Sequence, residues 1–168
     1  MCPEAADMLK MKYDCTLEAS AAAYAKGCSL TNSSVNSRPN EGENHWVALF
    51  TGDSTQDVPN AIDAWYSEIT RNGLNKQMMY WISLETKPNG PRSFTQMAWA
   101  NTYKVGCAVA LCGTNTFTVC RYSPRIALSE SDYSGNIVDE KIYTLGTPCQ
   151  SCPSTCVAGE DLCETPST

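Results

Sequence analysis

Histidine is almost missing from this chain of 168 residues: His45 is the only one. Any Ser-His-Asp relay or histidine-based acid–base pair would have to use it. There is no G-x-S-x-G nucleophile elbow, no H-E-x-x-H zinc helix and no glycine-rich loop of the kind that cradles phosphate. No apolar run reaches the about 18–20 residues of a membrane helix, so no helical span or membrane insertion is expected. No apolar stretch follows basic residues at the N-terminus, so no signal peptide is read there. Charge is sparse, at 18% of residues, and twelve Lys and Arg stand against eighteen Asp and Glu for a net −6. That balance excludes nucleic acid as the expected partner, because a phosphate backbone needs clustered cations. No internal repeat is visible.

Cysteine, by contrast, is abundant. Cys2, Cys15 and Cys28 form an N-terminal trio, Cys107, Cys112 and Cys120 a middle trio, and Cys149, Cys152, Cys156 and Cys163 a C-terminal quartet. An even count this high fits a disulfide framework made in an oxidising compartment, and all ten are expected to be disulfide-forming. The chain therefore reads as a mature secreted, extracellular protein without its leader, with Met1 as an expression start. Cys149-x-x-Cys152-x-x-x-Cys156 could be drawn as half a zinc site, but zinc wants four ligands and the single histidine lies about a hundred residues away. A thioredoxin-type pair needs a helix N-terminus, whereas Pro148 and Pro153 flank this one in a Thr/Ser/Pro-rich stretch. A disulfide-stapled loop is the favoured reading, and no cofactor is expected.

Periodicity supplies the elements. Met8, Met11, Cys15, Ala19 and Ala22 recur at helical spacing and predict a helix over 4–26, ended by Gly27. Residues 29–44 read as a polar loop. A second helix follows the turn Gly52-Asp53-Ser54, with Asp57 as its cap, Pro59 in its first turn and Ile62, Trp65, Tyr66 and Ile69 as its buried stripe before Gly73. Residues 85–93 are turn chemistry, and a short helical segment through Phe94, Met97 and Ala98 is expected. Val105–Leu111 and Phe117–Tyr122 alternate as strands around a hairpin loop at Cys112-Gly113-Thr114-Asn115. Lys141–Leu145 is read as a further strand. Together these give an α+β layered domain of about 145 residues and a cysteine-rich tail.

Among the chemistry-bearing residues, Glu43 in the glycine-flanked run Glu41-Gly42-Glu43-Asn44 and Glu68 on the second helix could share a cleft and hold a cation. The plainer reading has Glu43 binding backbone amides and Glu68 in solvent. Beside Trp46, His45 reads as a surface or half-buried residue. Thr51-Gly52-Asp53 sits in an exposed turn but lacks the cation of an Arg-Gly-Asp integrin tip. Asn32-Ser33-Ser34 is the sole N-glycosylation sequon, in a loop where Asn32 could carry a glycan.

Several stretches jointly resemble the CAP superfamily of cysteine-rich secretory proteins, antigen 5 and plant pathogenesis-related 1. Arg92-Ser93-Phe94-Thr95-Gln96-Met97-Ala98-Trp99 matches the first family signature except at its first two places, with the usual Gly-Cys at Gly106-Cys107. Cys120-Arg121-Tyr122-Ser123-Pro124 opens the second signature, which departs at Ile126 and Ala127. Gly42-Glu43-Asn44 and Trp65-Tyr66-Ser67-Glu68 resemble two further blocks. Met8–Cys15 and the pattern from Ile142-Tyr143 to Cys149-x-x-Cys152 are similar to the ASP branch secreted by parasitic nematodes.

The resemblance implies an α-β-α sandwich with an antiparallel sheet over 1–146, lacking or shortening the family's first helix, and a hinge-like disulfide-rich tail over 147–168. The family cleft holds two histidines and two glutamates. Carried over, the glutamates are Glu43 and Glu68, the first histidine falls near Arg38 and the second is Ser93; His45 lies off the motif. With both imidazoles replaced, the cleft remnant of Glu43, Glu68, Ser93 and Arg38 implies no resident metal and no catalysis. The expected function is modulation of host cells through a cell-surface protein, such as a platelet or leukocyte integrin, by a monomer or weak dimer. A metal-assisted hydrolase using both glutamates, and a sterol or fatty-acid carrier with Met78, Met79 and Trp81 along a groove, are the alternatives.

Overall fold

The computed structural model describes residues 2–125 and 137–166; Met1, and the signature's departure at Ile126 and Ala127, lie outside them. The framework is a four-stranded sheet in the order β1-β4-β5-β2. In it, β1 (Lys12–Tyr13) runs parallel to β4 (Lys104–Cys112), while β4 and β2 (Gly42–Leu49) each run antiparallel to β5 (Asn115–Ser123). The hairpin forms where alternation places it, turning on Gly113 at φ +66°.

Alternation along β5 sends its side chains to two different layers. Phe117 and Val119 pack with Ala21 and Ala25 of α1 (Cys15–Ala25). Cys120 and Tyr122 point the other way, onto Ala61 and Trp65 of α2 (Asp57–Asn72). Contact between α1 and the sheet is close. A Cβ added to Gly106 would lie 2.2 Å from the Glu18 backbone nitrogen, so only glycine lets β4 and the start of α1 approach. Two short helices, α3 (Ile82–Glu85) and α4 (Arg92–Met97), lie after the two-residue strand β3 (Met79–Tyr80), which pairs with β6 (Glu140–Lys141). A last ladder joins β7 (Cys156–Val157) to β8 (Leu162–Cys163).

The sequence misplaces several features. The helix read over 4–26 begins only at Cys15, where the Asp14 carboxylate accepts from the Thr16 and Leu17 N–H groups. Residues 4–14 are extended because their backbone bonds to distant chain: Ala6 N–H to Thr144, Lys10 N–H to Cys163 and Lys12 N–H to Tyr103. The buried face of α1 is Leu17, Ala21 and Ala25, not Cys15, Ala19 and Ala22.

On α2, Asp57 is the first helical residue rather than the cap, and its carboxylate accepts from Thr116 Oγ1 at 3.1 Å. Trp65 is buried as expected, but Ile62 and Tyr66 are 42% and 60% exposed. With Val58 and Met97 close by, Ile62 opens an apolar groove of about 470 Å³. The strand read over 141–145 shrinks to β6 and a single bridge from Leu145 to Ala5.

Four disulfides form: Cys28–Cys112, Cys107–Cys120, Cys149–Cys156 and Cys152–Cys163. Cys2 and Cys15 are free, against the expectation that all ten pair. Cys2 lies half-buried against the cluster of Tyr80, Trp99 and Ile142, while Cys15 is exposed at the start of α1.

Candidate functional site

β2 is the open edge of the sheet, and a cleft of about 510 Å³ runs along it. Asn32, Glu43, Asn44, His45, Glu68 and Ser93 all contribute to its wall. The strand period decides which way each faces. Glu43 and His45 lie opposite Arg121 and Val119 and share their side of the sheet, the side covered by α1 and the loop before β2. Asn44, between them, faces α2 and α4, donating Nδ2 to the Ser93 carbonyl at 3.0 Å and to Tyr122 Oη at 3.3 Å.

Glu43 is among the most buried charges in the molecule. Its Oε1 accepts from the Ser33 N–H at 2.7 Å and its Oε2 from Ser33 Oγ at 2.8 Å. Arg121 Nη2 stands 3.1 Å from Oε2, and Arg38 Nε 4.0 Å from Oε1. Arg38 also donates from Nε to Ser33 Oγ and from Nη1 to the Glu41 carbonyl. Glu41 accepts from Ser20 Oγ and lies 3.8 Å from Arg121 Nη1. Two guanidiniums and two carboxylates thus form a closed network beneath the cleft. Arg38, read near the first histidine position, is buried beneath the cleft and is not among its wall residues, whereas Asn32 is, with its Oδ1 against His45 Nδ1.

On the other side, Glu68 Oε2 accepts from the Phe94 N–H at 3.0 Å, taking up one of the orphan donors in the first turn of α4. The two glutamates line one cleft but are bonded to different layers. This donor set does not fit the metal that the family cleft implies. Glu43 has both oxygens engaged by Ser33 and arginine, Glu68 is held by a backbone amide, and neither Arg38 nor Ser93 supplies an imidazole. Among the described residues no group of three or more His, Cys, Asp or Glu is arranged to hold an ion.

His45 was read as lying off the motif, yet its side chain enters the wall. The signal in the sequence is its place two residues after Glu43 on the same face of β2, a strand that starts at Gly42 inside the polar stretch 29–44. Its carbonyl accepts from Trp65 Nε1 at 3.0 Å, which ties α2 to the edge strand. Its ring meets Phe117 edge-on. Burial lowers its pKa below the usual imidazole value of 6.5, and the Glu43 charge offsets part of that. The unfolded chain therefore takes up a proton before the folded one does, so stability should fall as pH drops below about 6.5 and level off only beneath the folded pKa. His45→Gln should flatten that part of the profile in denaturant titrations between neutral and mildly acidic pH; an unchanged slope would remove His45 as the cause.

Elsewhere, Thr51, Gly52 and Asp53 are exposed. The Asp53 carboxylate accepts from the Thr55 N–H at 2.8 Å and from its hydroxyl at 2.9 Å, bonds that lower its pKa. The alternative lipid groove would need Met78, Met79 and Trp81 on one surface; Met78 is instead packed in the core with Tyr80, and Trp81 is 41% exposed.

A helix–sheet–helix layering, a cleft along the edge strand and a pair of short-range disulfides in the last twenty residues define a cysteine-rich α-β-α domain. The family model described as "Cysteine-rich secretory protein family", CAP, matches residues 4–122, and the chain belongs to that family. It is 37% identical over 168 residues to the Ancylostoma secreted protein of Ancylostoma caninum, covering 98% of this chain and 38% of that protein. The chain thus spans well under half of this relative's length.

Among solved structures, NaASP2 with Zn2+ aligns with a TM-score of 0.84 at 33% identity, over 96% of this chain and 79% of that one. Hookworm Platelet Inhibitor aligns at 0.68 and 28%, again over 96% and 79%. The likeness places this chain among nematode ASP-type CAP proteins. No helix among the described residues is long and apolar enough to cross a membrane.

Proposed function

We propose that this protein is an extracellular, non-catalytic CAP domain that acts on host cells through its outer surface, by antagonising integrin-dependent adhesion of platelets or leukocytes. The observation that carries the non-catalytic part is the engagement of Glu43. A carboxylate that is fully buried, accepts a hydrogen bond from Ser33 on each oxygen and has its charge countered by two arginines is poorly placed to bind a cation or to take a proton from a substrate. The extracellular part is supported by the disulfides and by a relative named as secreted.

The integrin part is supported by the likeness to Hookworm Platelet Inhibitor. Its partner is then a host cell-surface protein, met by a monomer or weak dimer. Purified, oxidised protein added to platelets on fibrinogen or collagen should reduce their adhesion in a dose-dependent way. Full adhesion at micromolar protein rejects the integrin reading.

A further inference from the structure

The sequon Asn32-Ser33-Ser34 is built into the mouth of the cleft. Ser33 is buried and donates both its N–H and its hydroxyl to Glu43, which fixes the backbone of the loop at that point. Its two neighbours are turned outward, and both Asn32 and Ser34 are exposed. Asn32 Oδ1 is held against His45 Nδ1, so the other end of the amide, Nδ2, is the end left to face solvent. The loop thus offers both groups an N-glycosyl transfer needs, an accessible amide nitrogen and a hydroxyl two residues on. The same amide stands beside a wall residue that is the only histidine in the chain.

We propose that Asn32 carries an N-linked glycan, and that this glycan roofs the cleft and shields His45 from solutes. The inference rests on the extracellular reading, because the donor, an oligosaccharide on a polyprenyl diphosphate, is met along the secretory route. In the transfer, a bond forms between Asn32 Nδ2 and the anomeric carbon of the sugar. The bond from that carbon to the phosphate oxygen breaks, polyprenyl diphosphate leaves, and Nδ2 gives up one proton. Oδ1 is untouched, so its contact with His45 survives the modification. A cleft whose carboxylates are already engaged thereby becomes the footing of a sugar chain.

The test uses the full chain produced behind a secretion leader in eukaryotic cells, as wild type and as Ser34→Ala. That variant keeps Asn32 and its contact with His45 but removes the acceptor sequon. Recovery from the medium with four disulfides bears on the extracellular reading, and failure there sinks that reading together with this one. Wild type should be heavier by a glycan that peptide N-glycosidase releases, and Ser34→Ala should not. Carbethoxylation by diethyl pyrocarbonate, followed by absorbance of the modified imidazole, reports His45 alone among histidines. It should proceed several-fold more slowly in the glycosylated protein than in Ser34→Ala. Wild type from cells treated with tunicamycin, which is unglycosylated and keeps Asn32, supplies a second comparator should Ser34→Ala not fold. Secreted wild type of unshifted mass, or equal carbethoxylation rates with and without the glycan, overturns the proposal while leaving the extracellular reading intact.

Discussion

Replacing Arg121 with methionine should cost about 3–5 kcal/mol of folding stability, the range for removing one partner of a buried ion pair. The side chain is 4% exposed and that of Glu43 fully buried, and they face each other across the β2–β5 ladder, 3.1 Å apart at their nearest atoms. Without Arg121, Glu43 keeps the Ser33 bonds and the more distant Arg38, which is thin compensation for a carboxylate out of water. The guanidinium is itself imperfectly served, since Nε and Nη1 make no hydrogen bond. A cation–π contact with the Tyr24 ring, 5.3 Å away, offsets part of that deficit.

Either single replacement strands a charge: Glu43→Gln keeps one acceptor for Ser33 but turns an amide NH2 toward donors and leaves Arg121 with only the more distant Glu41, so it too should destabilise. Denaturant midpoints at constant slope measure both. A loss below about 1 kcal/mol for Arg121→Met, as for an exposed pair, would mean that the network beneath the cleft does not hold the edge strand in place.

The second large effect is expected from opening the long-range disulfide. Cys28 and Cys112 are 84 residues apart in sequence, and closing a loop of that length lowers the entropy of the unfolded chain by about 4–5 kcal/mol at room temperature. The bond also pins the turn after α1 to the end of β4, where Cys28 has a left-handed backbone at φ +50°. Changing both cysteines to serine should remove a large share of the stability that a domain of this size has, about 5–15 kcal/mol in total. The tail disulfides close separations of only 7 and 11 residues, and their removal should cost about 2–3 kcal/mol each. Parallel unfolding of the three double-serine variants checks the order. A smaller loss for Cys28/Cys112 than for either tail bond would sink the loop-length argument.

How much of this could be read in advance varies with how local the cause is. The β4–β5 hairpin was legible because alternation and turn residues lie within about twenty positions of each other. α2 was legible as a helix, yet its faces were legible only in part: of the stripe Ile62, Trp65, Tyr66 and Ile69 the sheet buries Trp65, and it takes Ala61 beside it while Ile62 and Tyr66 stay exposed.

Residues 4–14 failed for a different reason. Their apolar residues fall at helical spacing, but the donors of Ala6, Lys10 and Lys12 are claimed by residues about 90–150 positions away, which no short window contains. At the site, Glu43 and Glu68 were found through motif resemblance and do line the cleft. Arg38 lies under the cleft and not in its wall, and a buried arginine looks no different in sequence from an exposed one. Asn32 was noticed only as a sequon, and His45 was undervalued for want of one more step of the β2 period.

The pairing of the extended N-terminal residues has a consequence for how the molecule comes apart. Ala6 and Glu4 are laced to Thr144 and Gly146, while Met8 and Lys10 bond to both sides of Cys163. Residues 4–10 and the stretch from Thr144 to Cys163 therefore work as one clasp over Tyr80, Trp99 and Ile142, with Ala5 and Met8 pressed onto that cluster. A protease nick in either segment would unfasten the other as well, and the same patch of greasy interior would be bared whichever was cut first.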